Sequence, residues 1–187
     1  MDESLPEASH FISVPYLSGT VDRYLPIREV SPGVRLAILD ILGDYELIEA
    51  LGLALAKLIP HDVTALFMPD GKAQALLHVI GCETCLPTII ARKSLKSYMA
   101  GPILSVDVVS ITTSDKTQKL YLDSVSAAKL NGRKVAVVDD VVSTGASVRA
   151  CEELVRMAGG EVTAVVAAFT EGLGHKGIIS LGNLPLY

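Results

Sequence analysis

The stretch VAVVDDVVSTGAS, residues 135–147, decides how the rest of the chain is read. It opens with four apolar residues and no alternation, the pattern of a strand buried on both faces. Asp139 and Asp140 follow at once. Two adjacent carboxylates repel each other, and burying both without partners is costly. At least one is therefore expected at an open, ligand-binding edge, where hydroxyl donors or a hydrated divalent cation offset that cost. Ser143, Thr144, Gly145, Ala146 and Ser147 then make a small-residue turn before a helical pattern. Such a turn can wrap N–H groups and hydroxyls around a phosphate, with the positive end of the helix dipole behind it. Taken residue by residue, the alternative is a plain turn in which Asp140 caps locally and Thr144 bonds its own backbone. The order strand, acids, small-residue turn, helix favours the anion site.

The flanking sequence repeats this strand–helix grammar. Val148, Cys151, Val155 and Ala158 recur at helical spacing over residues 146–158, until Gly159-Gly160 ends the run, and residues 162–169 form another apolar strand. Upstream, Asp44 is a candidate N-cap for a helix over 45–58 with a Leu47, Leu51, Leu55 and Leu58 stripe. Residues 62–68 read as a buried strand and 69–72 as its turn. A helix over 73–80, with Leu76, Leu77 and Ile80 inward, leads to a strand at 86–91 that runs into Arg92 and Lys93. Residues 106–111 and 118–123 are short strand candidates around the polar segment 112–117, a hairpin or flexible flap. The whole predicts one α/β domain over 1–187, a mostly parallel central sheet with helices on both faces and ligand sites beyond the carboxyl ends of its strands. Residues 1–33 contain four prolines and are expected to form an irregular segment over this domain, and residues 1–44 to include a small N-terminal hood.

Composition narrows the function classes. Hydrophobic residues are 50% of the 187 and charged residues 20%, which excludes a disordered chain. The net charge of -5 argues against a nonspecific nucleic-acid surface. No apolar run reaches the roughly 18 residues of a membrane span. The acidic start MDESLPEASH lacks the basic and apolar regions of a signal peptide, so a cytoplasmic protein is expected. Cys82 and Cys85 form a C-x-x-C pair, too few for a zinc site; two reduced thiols at a helix-to-strand turn and a redox pair are the competing readings. Cys151 reads as core. Neither G-x-x-x-x-G-K-[S/T] nor G-x-G-x-x-G is present, so the site suits a smaller ligand bearing a sugar diol and a terminal phosphate.

VAVVDDVVSTGAS resembles the phosphoribosyl-pyrophosphate (PRPP) motif of type I phosphoribosyltransferases. Residues 32–56, PGVRLAILDILGDYELIEALGLALA, are similar to the early region of adenine phosphoribosyltransferases. Ala91-Arg92-Lys93 resembles the segment where that family's strand ends near pyrophosphate. The likeness runs from about residue 32 to 171. It implies Asp139 and Asp140 at the ribose hydroxyls and catalysis, and Ser143, Thr144, Gly145, Ala146 and Ser147 around the 5'-phosphate. It places Arg92, Lys93, Gly71 and Lys72 at the pyrophosphate, and offers Lys116 as a flap contact. Mg²⁺ would be bound chiefly through PRPP, with no protein metal site. A purine would lie between the N-terminal segment and residues 169–171. Leu39, Phe169 and Glu171 are candidate contacts, Ile41 and Leu42 serve there or in the core, and His175 and Lys176 contribute if their run folds back.

The implied reaction is transfer of the 5-phosphoribosyl group from PRPP to a purine, giving a nucleoside monophosphate and pyrophosphate in a purine-salvage homodimer. A PRPP-sensing regulator with little catalysis, and a transferase for a pyrimidine base, are the alternatives. The chain departs from the adenine type in two places. Met-Pro-Asp-Gly, residues 68–71, stands where Glu-Ala-Arg-Gly is typical, so Asp70 reverses a charge beside the pyrophosphate. The flap glutamate has no matching counterpart, and Asp115 and Asp123 are carboxylates without its context.

Overall fold

The computed structural model describes residues 8–108, 118–172 and 176–187. Residues 9–31 are regular, contrary to the expectation of an irregular segment over 1–33, whose first seven residues lie outside the described ones. β1 (Ser9–Tyr16), β2 (Gly19–Ser31) and β3 (Val34–Ala37) form an antiparallel sheet in that order. The prolines do not break it because they sit where a missing N–H costs little. Pro15 lies next to the two-residue turn Leu17-Ser18, Pro26 opposes the first residue of β1, and Pro32 falls in the turn between β2 and β3. Ile12 and Val14 alternate inward along β1, as a half-buried strand requires.

α1 (Tyr45–Ala56) begins at Asp44, whose carboxylate accepts from Leu47 N–H at 3.1 Å. The same carboxylate takes a two-pronged bond from Arg23 of β2, at 2.6 Å from Nε and 2.8 Å from Nη2. One acid thus caps the helix and anchors the hood sheet. Tyr16 adds a hydroxyl bond to Glu49 at 2.6 Å.

β4 (Ala65–Pro69), α2 (Gln74–Thr84) and β5 (Thr88–Ala91) follow, then the antiparallel pair β6 (Leu104–Val108) and β7 (Gln118–Leu122). A five-residue helix, α3 (Ser124–Ala128), precedes β8 (Lys134–Val142), α4 (Ala146–Met157), β9 (Glu161–Glu171) and β10 (Ile178–Leu184). The main sheet has the order β10-β9-β8-β4-β5, and every neighbouring pair is parallel. α3 and β10 have no counterpart among the sequence-based expectations. β10 carries only a short apolar start, Ile178-Ile179, before Gly182 and Asn183.

Alternation along β4 and β8 sorts the core. Leu66, Met68, Ala136 and Val138 face α1, α2 and the hood; Ala65, Phe67, Val135 and Val137 face α4 and the β6–β7 pair. These apolar side chains are almost completely buried, each stabilising the fold by roughly 1.5–3 kcal/mol for residues of Leu or Val size. Cys151 lies in the second core, where burial pushes its thiol pKa up. Cys82 and Cys85 are free, and Cys85 closes α2 in the left-handed conformation.

Candidate functional site

Strand order reverses between β4 and β8: from β4 the chain moves outward to β5, from β8 the other way to β9 and β10. An open parallel sheet leaves a crevice at such a point, beyond the strand carboxyl ends. Here it is a cavity of about 460 Å³ between the loop after β4 and the end of β8, with Lys93 and Gln118 also on its wall.

Asp139 and Asp140 lie within β8, which runs on to Val142. Successive strand residues point to opposite faces, so Asp139 sits on the α4 side and Asp140 on the hood side. The pleat separates the two charges while both still border the cavity. Asp139 Oδ1 accepts the Asp140 N–H at 3.0 Å. Burial, and next the neighbouring Asp140 charge, push the Asp139 carboxyl up to about 7. Asp140 is buried, and its Oδ2 has no hydrogen-bond partner among the described residues, although Lys72 Nζ stands 3.4 Å away as an ion-pair partner. The ion pair supplies charge without the alignment of a hydrogen bond. Lys72 Nζ instead donates to the carbonyl of Leu39.

A second cavity of about 130 Å³ adjoins the first, sharing Asp139, Val141 and Ser147. Its wall is the turn Ser143–Ser147, which leads into α4. Gly145, at φ +72°, is the N-cap of α4 and supplies no side-chain cap. Ala146 N–H meets Thr144 Oγ1 at 3.4 Å, and Arg149 Nη1 donates to the Thr144 carbonyl at 3.1 Å. The result is a shaped helix start whose N-cap residue brings no side chain, the arrangement that receives anions.

Asp70 is held rather than loose. Gln74 Nε2 donates to its Oδ1, and Arg92 Nη1 lies 3.9 Å from its Oδ2. Its N–H donates to the Ala91 carbonyl at 2.7 Å. Arg92 also donates from Nη2 to the Tyr98 hydroxyl at 3.0 Å, and its backbone pairs with Tyr121. Arg92 therefore borders a separate cavity of about 280 Å³ with Tyr98, Tyr121 and Lys129, whereas Lys93 borders the cavity of the paired acids. The acid-lined cavity is the candidate site, because it occupies the switch point and joins the helix start.

Among the remaining sequence-based candidates, Gly71, Lys72 and Ser147 line the larger cavity, and Ser143, Thr144, Gly145 and Ala146 the smaller. Leu39 and Phe169 are core residues, 2% and 7% exposed, and Ile41 is fully buried. Leu39 meets the site through its carbonyl, while Phe169 packs its ring against Gly182. Glu171 is half-buried at the end of β9, and Leu42 is exposed. Lys116, Asp115, the flap segment 112–117 and His175 lie outside the described residues. Sequence reasoning missed the Lys72–Leu39 link, the Asp70–Arg92 pair and Gln118 at the cavity wall. None of these contacts joins residues at a helical or strand spacing, so the sequence pattern carried no signal for them.

Among the described residues, no group of three or more His, Cys, Asp or Glu side chains could hold a metal ion. Two strand-end carboxylates, one with an unsatisfied oxygen, fit instead a hard cation whose other oxygen ligands come from a bound molecule or water. No helix among those residues is long and apolar enough to cross a membrane.

No protein-family model matches the chain. Its structure is similar to adenine phosphoribosyltransferase from Thermoanaerobacter pseudethanolicus, with TM-score 0.67 and 20% identity, covering 85% of this chain and 95% of that one. It is also similar to the Trypanosoma brucei adenine phosphoribosyltransferase in complex with AMP, pyrophosphate and ribose-5-phosphate, with TM-score 0.61 and 16% identity over 85% and 86% of the two chains. The fold is that of the type I phosphoribosyltransferases. In sequence, the chain is 25% identical to a hypoxanthine/guanine phosphoribosyltransferase of Methanosarcina acetivorans over 142 residues, 76% of this chain and 70% of the relative. A 64-residue segment, 34% of this chain, is 45% identical to Staphylococcus aureus orotate phosphoribosyltransferase and spans 31% of that relative's length.

Proposed function

We propose that the protein transfers a 5-phosphoribosyl group from PRPP to a purine base, releasing pyrophosphate. One observation carries this reading: the paired acids near the end of β8 and the glycine-capped start of α4 border adjoining cavities that share Asp139 and Ser147. A ribose 5-phosphate unit requires that combination, with acceptors for its diol and N–H donors for its phosphate a few ångströms further on. The adenine and hypoxanthine/guanine enzymes among the similar proteins favour a purine acceptor. The orotate match covers a third of this chain and puts orotate on the panel of bases to be tested.

The residues divide the work. Asp139 and Asp140 accept hydrogen bonds from the ribose hydroxyls and orient the sugar. The turn Ser143–Ser147 and the first N–H groups of α4 hold the 5'-phosphate. Lys93 and Lys72 place positive charge toward the pyrophosphate. The bond from C1 to the pyrophosphate oxygen breaks as a base nitrogen forms its bond to C1, and the base's N–H proton passes to the departing pyrophosphate or to water. Catalysis is chiefly alignment and charge stabilisation. Bound with PRPP, Mg²⁺ supplies positive charge that stabilises the departing pyrophosphate. Following the resemblance, the protein acts in the cytoplasm as a homodimer.

The test measures nucleotide and pyrophosphate formation from PRPP and Mg²⁺ with adenine, hypoxanthine, guanine, orotate and uracil. Turnover with a purine supports the proposal. Tight PRPP binding without turnover on any base would replace it with a PRPP sensor.

A further inference from the structure

The loop after β4 places a carboxylate where a polyanion is expected to lie. Asp70 borders the 460 Å³ cavity together with Lys72, Lys93, Asp139 and Asp140, so its charged lining among the described residues comprises three acids and two amines. Asp70 cannot readily swing away, because Gln74 grips one oxygen and Arg92 faces the other. Its counter-charge is poorly matched: the Arg92 contact is long, at 3.9 Å, and that guanidinium also donates to the Tyr98 hydroxyl at 3.0 Å. A pair this long neutralises the acid only weakly, so Asp70 keeps negative charge at the cavity wall.

We propose that Asp70 is a specificity-determining residue: it rejects a bare diphosphate group and admits the same group when a divalent cation accompanies it. The inference rests on the PRPP reading of this cavity. A fixed carboxylate on the wall of a cavity that takes a diphosphate repels the bare anion, by roughly a tenfold change in affinity at intermediate dielectric. A divalent cation on the diphosphate removes most of that repulsion. The neutral isostere Asn would remove it as well, and would keep an acceptor oxygen for Gln74.

Inorganic pyrophosphate titrated calorimetrically, once with Mg²⁺ and once with EDTA, tests this on the wild-type protein, Asp70→Asn and Asp70→Glu. Wild type and Asp70→Glu should bind at least about tenfold more weakly in EDTA than in Mg²⁺. Asp70→Asn should gain about tenfold in the EDTA arm and change less than about threefold in the Mg²⁺ arm. Asp70→Ser serves as the neutral variant should Asn at this position fail to fold, as judged by melting curves. Equal metal-free affinity in wild type and the neutral variant overturns the role of Asp70 and leaves the transferase reading standing. A gain shared by Asp70→Glu overturns it too, since charge is then not the cause. Absence of pyrophosphate binding to wild type in both arms overturns the inference and the PRPP reading together.

Discussion

Lys72 Nζ stands 3.4 Å from Asp140 Oδ2 and at the same time donates a hydrogen bond to the Leu39 carbonyl. One side chain therefore joins three segments that are far apart in sequence: the loop after β4, the end of β8, and the stretch between the hood and α1. It also gives the buried Asp140 carboxylate its counter-charge, which explains how an acid with an oxygen lacking any hydrogen bond among the described residues persists there.

Lys72→Met should therefore act on both stability and binding. Lys72 is 38% exposed in its side chain, so solvent screening limits the stability loss to about 1 kcal/mol. PRPP affinity should fall by about tenfold or more, because a cation leaves a polyanion site. Thermal melting and a PRPP titration on the same variant separate the two effects. Unchanged PRPP affinity would remove Lys72 from the site.

Asp139 makes stability depend on pH in an unusual direction. Its carboxyl is pushed up to about 7 in the folded protein, above the ordinary 3.8, so the folded state binds a proton more readily than the unfolded chain does. Stability contributed by this group is greatest below the unfolded value and is lost as pH rises through about 7. Melting temperature of the ligand-free protein should rise as pH is lowered from about 8 to about 5.5, by the equivalent of a few kcal/mol at most. Asp139→Asn should flatten that slope and raise the melting temperature at the alkaline end. A slope that persists in this variant would assign the effect elsewhere.

Gly145 tests the phosphate turn independently of the acids. At φ +72° an L side chain is strained, and a new Cβ would come 3.2 Å from Arg149 Nη1, the flexible end of a long chain. The backbone is thus the main obstacle. Gly145→Ala should cost about 1–2 kcal/mol of stability and weaken ribose-5-phosphate binding by about tenfold, read by calorimetry.

Asp44 offers a control outside the cavity. Asp44→Ala removes the α1 cap and the two-pronged Arg23 contact together, and should cost about 1–2 kcal/mol by chemical denaturation. Arg23 holds this carboxyl below the usual range, so the contribution is present above the unfolded pKa and fades as pH falls through the lower, folded one.

The features behind these expectations were unequally legible in the sequence. The parallel sheet was readable because β4 and β8 are continuous apolar runs, buried on both faces. The paired acids announced a site because carboxylates directly after such a run need solvent, a cation or a ligand at the sheet's edge. The hood sheet was hidden by prolines whose harmless placement at turns and strand ends only the register reveals. β10 was hidden because its pairing with β9 is made by backbone atoms, and Gly182 interrupts its apolar pattern beside the Phe169 ring. Side chains that cross between segments, Lys72 to Leu39 and Asp70 to Arg92, leave no periodic trace. The base contacts were legible only by resemblance, and two of the residues so named, Leu39 and Phe169, are core.

The most direct measurement of the central claim is steady-state formation of nucleoside monophosphate from PRPP and the preferred base, in the wild-type protein and in the Asp139→Asn, Asp140→Asn double variant. The account predicts purine-dependent turnover with stoichiometric pyrophosphate in wild type. It predicts a fall of at least about a hundredfold in kcat/KM for PRPP in the double variant, whose fold is checked by melting. Wild-type kinetics in that variant, or the absence of turnover with every base, would contradict it.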